Sequence, residues 1–358
     1  MLARRTRGDH GDRDGDAPRA GDGSGRRMCD GQGVGQTPWG DPPRTRQTGD
    51  ALVGKLIAGG KYQIVRTLGS GGMGAVYQAL QPAMNRMVAL KLIRAEMVTK
   101  PDAVARFHKE MMVTARVEHP NTIRVYDFGD DDGQLYLAME FLAGASLRQV
   151  IESTGPLDVA RLVRIGKQVA NALGAIHAQG VVHRDLKPDN VMLLDSFGER
   201  DFVKVLDFGI AKVLDEQVRL TATGKPIGTP TYMAPEQAMG KDVDPRTDLY
   251  ALGVMLYHMA SGRVPFHAAL TGTMLLAHVH ETPTPIQTVA PNLPPALAAL
   301  IMQLLEKDPA ARPASAAEVA ARLDRLHGAR RSSKARWLVV LAAVLAASGA
   351  ALAYALAQ

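Results

Sequence analysis

The 358-residue chain holds one cysteine, Cys29. A lone thiol excludes an intramolecular disulfide framework and leaves no cysteine cluster for a zinc site. No internal repeat recurs, and no G-x-x-x-x-G-K-[ST] phosphate loop is present. The first fifty residues lack the apolar stretch of a signal peptide. Large apolar side chains are scarce there, while 11 of the 35 glycines, 9 Arg and 8 Asp crowd in. Such a segment cannot bury enough apolar surface to offset its ordering entropy. Residues 1–55 are therefore expected to be a disordered, solvated tail, with Met28 as an alternative initiator. An excess of one charge is also missing from residues 51–321, which hold 27 basic and 27 acidic residues.

The rest of the composition suits a buried core, with 46% hydrophobic and 22% charged residues. The length suggests two or three structural units. The net charge of +6 and pI near 9.4 fit nucleic acid, a membrane surface or a local patch. Position separates these. Residues 322–336 carry Arg322, Arg325, Arg330, Arg331, Lys334 and Arg336 against Asp324. The run that follows, Leu338–Ala357, has no charge and is about 20 residues long, enough to cross a bilayer as a helix. Trp337 and Tyr354 fall near its ends, where interfacial aromatics belong. Its alanine content makes a buried core helix the alternative. The expected layout is a basic juxtamembrane segment at 328–336 and a transmembrane helix at 337–357. Basic residues on its N-terminal side predict that this side is cytoplasmic, at the inner (plasma) membrane. Only a residue or so lies beyond the span, so no outer sensor domain is expected in this chain. With the charge away from the folded part, nucleic acid is not an expected partner.

Between these ends, strand-like runs come first: YQIVRTLG, AVYQALQ and MVALKLI, then TIRVYDFG and QLYLAMEFL. One helical stretch, residues 102–118, sits among them. From about Ser146 helices dominate, with SLRQVIEST, LDVARLVRIGKQVANALGAIHAQG, TDLYALGVMLYHMAS and PALAALIMQLLEK. Strands first and helices second predict an α+β chain of two lobes.

Four motifs carry chemistry. Leu68, Gly69, Ser70, Gly71, Gly72, Met73, Gly74, Ala75 and Val76 form a turn with G-x-G-x-x-G spacing. Glycines there let backbone N–H groups approach phosphate oxygens. The turn runs into a strand, whereas a dinucleotide-binding turn opens a helix. Lys91 ends an apolar strand and suits a cation bridging ATP phosphates. Glu110 is the best carboxylate to hold it, with Glu96 and Glu118 as rivals. VVHRDLKPDNVMLL packs His183, Arg184, Asp185, Lys187 and Asn190 into eight residues. Asp185 is placed to accept a hydroxyl proton, Lys187 to neutralise a phosphoryl group and Asn190 to hold Mg²⁺. Asp207-Phe208-Gly209 follows on a strand end. A second copy, Asp127-Phe128-Gly129, precedes the HRD string, and that order rejects it as the metal site.

In this order and spacing the set resembles the eukaryotic-like protein kinase family over Tyr62 to about Leu326. The resemblance implies a bilobal kinase fold over 56–327, with an N-lobe at 56–142, a C-lobe at 143–327 and ATP between them. It implies that Gly69 to Val76 cover the phosphates and that Lys91 pairs the α/β-phosphates with Glu110. Ala89, Met192 and Leu206 flank the adenine. Met139 resembles the gatekeeper, with Glu140 and Leu142 as hinge hydrogen-bonding positions. Asp185 is the catalytic base, and Asn190 and Asp207 bind Mg²⁺ or Mn²⁺. Ala234-Pro235-Glu236 resembles the family's APE motif, Arg312 its ion-pair partner, and Asp248 an acidic residue that braces the catalytic loop.

D-L-K-P-D-N and Gly228-Thr229-Pro230 are similar to kinases acting on Ser and Thr of proteins. Thr229 then lies in the P+1 loop, and Thr221 and Thr223 are candidates for autophosphorylation, with Arg184 as phosphate partner. RFHKEMMVTARVEHPNTIRVYDFG and GTPTYMAPEQAMG resemble bacterial membrane-anchored Ser/Thr kinases. Ser348-Gly349-Ala350 offers small residues for helix pairing into a homodimer. The competing reading is a catalytically silent ATP-binding scaffold at the membrane. Intact Lys91, Asp185, Asn190 and Asp207 argue against it.

Overall fold

The computed structural model describes residues 51–71, 74–94, 102–196, 198–208 and 230–326. Gly72, Met73, Thr221, Thr223, Thr229, residues 1–50 and everything from 327 onward, the apolar run included, lie outside the described residues. Among the described residues no helix is long and apolar enough to cross a membrane.

A six-stranded antiparallel sheet comes first. Its strands are β1 (Leu56–Ile57), β2 (Tyr62–Gly71), β3 (Gly74–Gln81), β4 (Arg86–Ile93), β5 (Val125–Asp131) and β6 (Gln134–Glu140), in the order β1-β2-β3-β4-β6-β5. Period-2 alternation gives each strand two faces, and here both are covered. Leu68, Val76, Ala89 and Met139 join the main core, while Tyr62, Tyr77, Leu90 and Tyr136 form a second cluster. Leu52 and Ile57 pack on that second cluster. This corrects the tail boundary: residues 51–55 form a turn pinned by Gly54 N–H to the Ile64 carbonyl at 2.8 Å. The apolar Leu52 gives that turn something to bury.

Helix α1 (Asp102–Thr114) buries Phe107 and Met111. It stops at Thr114 rather than continuing to 118. Tight turns take over, with Arg116 N–H on Val113 and Val117 N–H on Thr114, both at 3.1 Å. Pro120 follows, and a proline disfavours helix in the residue before it. The chain then stitches the lobes together. Val205 N–H donates to the Asn121 carbonyl at 2.8 Å, Ile123 N–H to Val205 at 2.9 Å, and Asn121 Nδ2 to Val203 at 2.9 Å.

The second lobe holds a three-stranded sheet, β7 (Ala145–Ser146), β8 (Val191–Ser196) and β9 (Glu199–Val205). Around it lie α2 (Leu147–Thr154), α3 (Val159–Ala178), α4 (Pro235–Ala238), α5 (Pro245–Ser261), α6 (Thr271–His280), α7 (Ile286–Val289) and α8 (Pro295–Leu304). Residues 316–326 are helical as well. Start signals are legible: Ser146 and Gln149 form a capping box on α2, and Asp158 caps α3 through Ala160 and Arg161 N–H. Helix α5 is apolar on nearly every side, as a central helix must be. Gly253 lets α8 approach it, since a Cβ there would sit 2.6 Å from Leu304 Cβ.

Candidate active site

The β2–β3 hairpin brings its glycines together, with Gly69 opposite Val76, Ser70 opposite Ala75 and Gly71 opposite Gly74. Gly74 has φ +157°, and a Cβ there would run into the Leu92 carbonyl oxygen, so only glycine fits. Below the hairpin, Leu68, Val76, Ala89, Met139, Leu142, Met192 and Leu206 share one buried cluster. Ala89 lies opposite Met139 in the sheet, two residues from Lys91. These are the positions expected to line an adenine pocket. Glu140 closes β6: its N–H donates to the Arg124 carbonyl at 2.9 Å, and its Oε1 accepts from Lys204 Nζ at 2.7 Å.

Lys91 is buried, and the ion pair its ammonium makes in this structure is with Asp207 Oδ2 at 2.8 Å. Glu110 stands half-buried on α1. Asp207 Oδ1 is buried and has no hydrogen-bond partner among the described residues. An orphaned carboxylate oxygen is costly unless something charged completes it. That fits a bound divalent cation. Asn190 spends its Nδ2 on Asp185, on the carbonyl at 2.7 Å and Oδ2 at 3.2 Å, which leaves its amide oxygen to offer a metal.

The catalytic turn is built around Pro188–Asn190, a 3₁₀ turn with proline at its first position. Lys187 Nζ donates to both carboxylate oxygens of Asp185, at 3.0 and 2.7 Å. Leu206 N–H donates to the Asn190 carbonyl at 2.8 Å, and this bond sets Asp207 beside the turn. Arg184 and Asp207 both have positive φ, +67° and +57°. Non-glycine residues hold that conformation at a cost, and only where surroundings over-determine it. Asp248, almost fully buried on α5, supplies part of that force. It accepts from His183 N–H at 2.8 Å and Arg184 N–H at 2.9 Å, and it meets His177 Nε2 at 2.7 Å. Gln237 Nε2 adds a bond to the Arg184 carbonyl at 2.8 Å.

Glu236 and Arg312 form a buried bidentate pair, with both N–O distances 2.8 Å. Burial pushes the Glu236 carboxyl up, but the Arg312 and Thr247 hydrogen bonds and the Arg312 charge bring it below the usual value. The spare Asp127 of the second DFG copy serves the N-lobe instead. Its Oδ2 accepts from Lys61 Nζ, Tyr62 OH and Tyr136 OH at 3.1–3.3 Å.

Asp185, Lys187 and Asn190 thus come together, and Lys91 meets Asp207, where the resemblance implied Glu110 as its partner. His177 and Lys204 were missed. A basic residue in the last turn of α3 was the only hint of His177, and nothing local marks Lys204.

A bilobal fold with this junction defines a phosphotransferase-like cleft, and comparison with known proteins agrees. The protein kinase domain model matches residues 62–322. Serine/threonine-protein kinase pkn3 of Myxococcus xanthus is 44% identical over 80% of this chain and 53% of its own length. Serine/threonine-protein kinase PknD of Mycobacterium tuberculosis is 39% identical over 73% of this chain and 39% of its own length. Among solved structures, the Mycobacterium tuberculosis PknI kinase domain matches with a TM-score of 0.62 at 31% identity, covering 77% of this chain and 98% of that one. The chain belongs to the protein kinase domain family. It spans about half or less of the curated relatives it matches. Use of ATP and a divalent metal is general to the family.

Proposed function

We propose that this chain is an ATP-dependent serine/threonine protein kinase of bacterial signalling. It transfers the γ-phosphoryl group of Mg-ATP to Ser and Thr hydroxyls of proteins, its own activation loop included. The observation that carries this is the junction at Asn190, whose Nδ2 holds Asp185 while its carbonyl takes the N–H next to Asp207. One turn so unites a base, a cation and two metal ligands. Asp185 takes the proton of the acceptor hydroxyl. Lys187, already bonded to both its oxygens, neutralises the phosphoryl group in flight. Mg²⁺ or Mn²⁺, held by Asn190 and Asp207, supplies charge neutralisation at the phosphates when bound. Lys91 pairs the α/β-phosphates, with Glu110 as the carboxylate that holds it, and Glu140 and Leu142 bond the adenine. Radiolabelled phosphate transfer to a generic basic protein tests this with wild type against Asp185→Asn. Transfer by wild type alone is expected, with the variant down about 10²–10⁴-fold. Equal transfer by both, or by neither, defeats it.

Two finer parts follow. Arg184 Nε is buried without a hydrogen-bond partner among the described residues, which supports a phosphate on Thr221 or Thr223 as its complement. Phosphopeptide mapping after incubation with Mg-ATP is expected to find one of them, and modification of neither removes the idea. The uncharged run at 337–357 behind its basic cluster supports a single-pass anchor with the kinase domain cytoplasmic, and helix pairing into a homodimer. In alkaline carbonate extraction the full chain should stay with membranes and a 1–336 truncation should not. Release of both overturns the anchor.

A further inference from the structure

His278 lies on the inner face of α6 and is fully buried. Buried ring nitrogens are costly unless paired, and both of its nitrogens are. Nδ1 meets the Tyr250 hydroxyl of α5 at 2.9 Å, and Nε2 meets the Thr231 carbonyl at 3.1 Å. A carbonyl only accepts, so Nε2 carries the proton, Nδ1 accepts and Tyr250 donates. The ring stays neutral. Burial and the nearby Lys307 hold it down to about 4. Lys307 donates to the His278 carbonyl at 2.7 Å and lies over the Phe266 ring, so a second cation would be repelled.

What His278 holds is the turn Pro230–Tyr232. The next residue, Tyr232, is itself buried, and its hydroxyl pairs with His258 Nδ1 at 2.8 Å. The Arg148 charge acts on that hydroxyl, and Arg148 itself bonds Asp189 at 2.7 Å inside the catalytic turn. Five residues past Tyr232, Gln237 reaches the Arg184 carbonyl. The turn therefore leads into α4, which touches the loop at Arg184, the residue before Asp185.

We propose that His278 is a positioning residue for the protein acceptor: by fixing the Thr231 carbonyl it holds the turn along which the acceptor chain reaches Asp185. The idea rests on phosphoryl transfer to proteins, as proposed above. Loss of the Nε2 donor frees the turn and orphans a buried carbonyl, so acceptor binding weakens while nucleotide chemistry does not.

The test uses the full chain with myelin basic protein as acceptor, and ATP hydrolysis without acceptor as a second readout. His278→Leu should raise the acceptor KM by about tenfold, leaving the ATP KM and ATP hydrolysis unchanged. His278→Gln, whose amide keeps a donor at the same reach, should return near wild type. Tyr250→Phe, which removes the bond that orients the ring, should fall between. If His278→Leu does not melt as a folded protein, the Gln and Phe variants decide. An unchanged acceptor KM in Tyr250→Phe, or equal losses in Leu and Gln, overturns the proposal, as does a matching fall in ATP hydrolysis. Wild type that hydrolyses ATP but never labels protein would instead count against the kinase reading itself.

Discussion

The two groups of carboxylates in the C-lobe stand in opposite states. Glu236 and Asp248 are buried and saturated: one takes two guanidinium bonds and a hydroxyl, the other two backbone N–H groups and meets an imidazole. Asp185 and Asp207 are more open, each is tied to a lysine, and one oxygen of Asp207 has no hydrogen-bond partner among the described residues. Saturated carboxylates hold a shape. Those that keep some exposure and are held by lysines can meet a proton or a metal. The chain thus separates bracing from chemistry, and the loop between His183 and Asn190 is where the two meet.

Breaking the reactive side should cost far more activity than stability. Asp207→Asn should lower phosphotransfer about a thousandfold, since metal-borne charge stabilisation is worth several kcal/mol. Asparagine keeps the shape but not the charge that Lys91 meets, so the urea midpoint should fall, though less than in Arg312→Ala; an equal or larger fall would blur the contrast.

Breaking the bracing side should do the reverse. Arg312→Ala leaves Glu236 buried and uncompensated, a change that costs about 3–5 kcal/mol. Urea denaturation should show it, and a loss below about 1 kcal/mol would mean water reaches the site.

Smaller still is an effect of acid on the buried histidines. His258 and His278 are each held down to about 4, His258 by burial, Arg148 and His267, and His278 by burial and Lys307. Their folded values lie below the unfolded one near 6.5. The unfolded chain binds more protons, so the contribution is whole above 6.5 and is lost as pH falls toward 4. Thermal melts from pH 7.5 to 4.5 should show the decline, and His278→Gln should flatten it. Identical slopes in both proteins would assign the decline to carboxylates.

The smallest change belongs to the other DFG copy. Asp127→Asn should leave phosphotransfer within about twofold and cost at most about 1 kcal/mol of stability. A large activity loss there would undo the distinction between the two copies.

How far the sequence reached follows from the span of each contact. Asp185, Lys187 and Asn190 sit within six residues, so their shared chemistry reads directly from the string. The strands and helices around them carry strong periodicity and caps, and the two-lobed α+β plan was legible. His177 meets Asp248 across 71 positions, Lys204 meets Glu140 across 64, and His278 meets Thr231 across 47. No local pattern distinguishes such residues from solvated ones. The same holds for α6, a ten-residue helix whose apolar face has meaning only against α4 and the 230–232 turn. The end of α1 was overrun because the helical pattern in residues 115–118 outlasts the helix itself.

The stitch between Asn121–Ile123 and β9 gives the molecule a fixed pivot. Any swing of the lobes that leaves those three bonds intact must turn about this seam. Displacement grows with distance from a pivot. The Met139–Leu142 floor, tied to it through Lys204 and Arg124, then travels little, while β2 and β3, farther across the sheet, travel more. A nucleotide would then meet a steady bed for its base and a moving canopy for its phosphates.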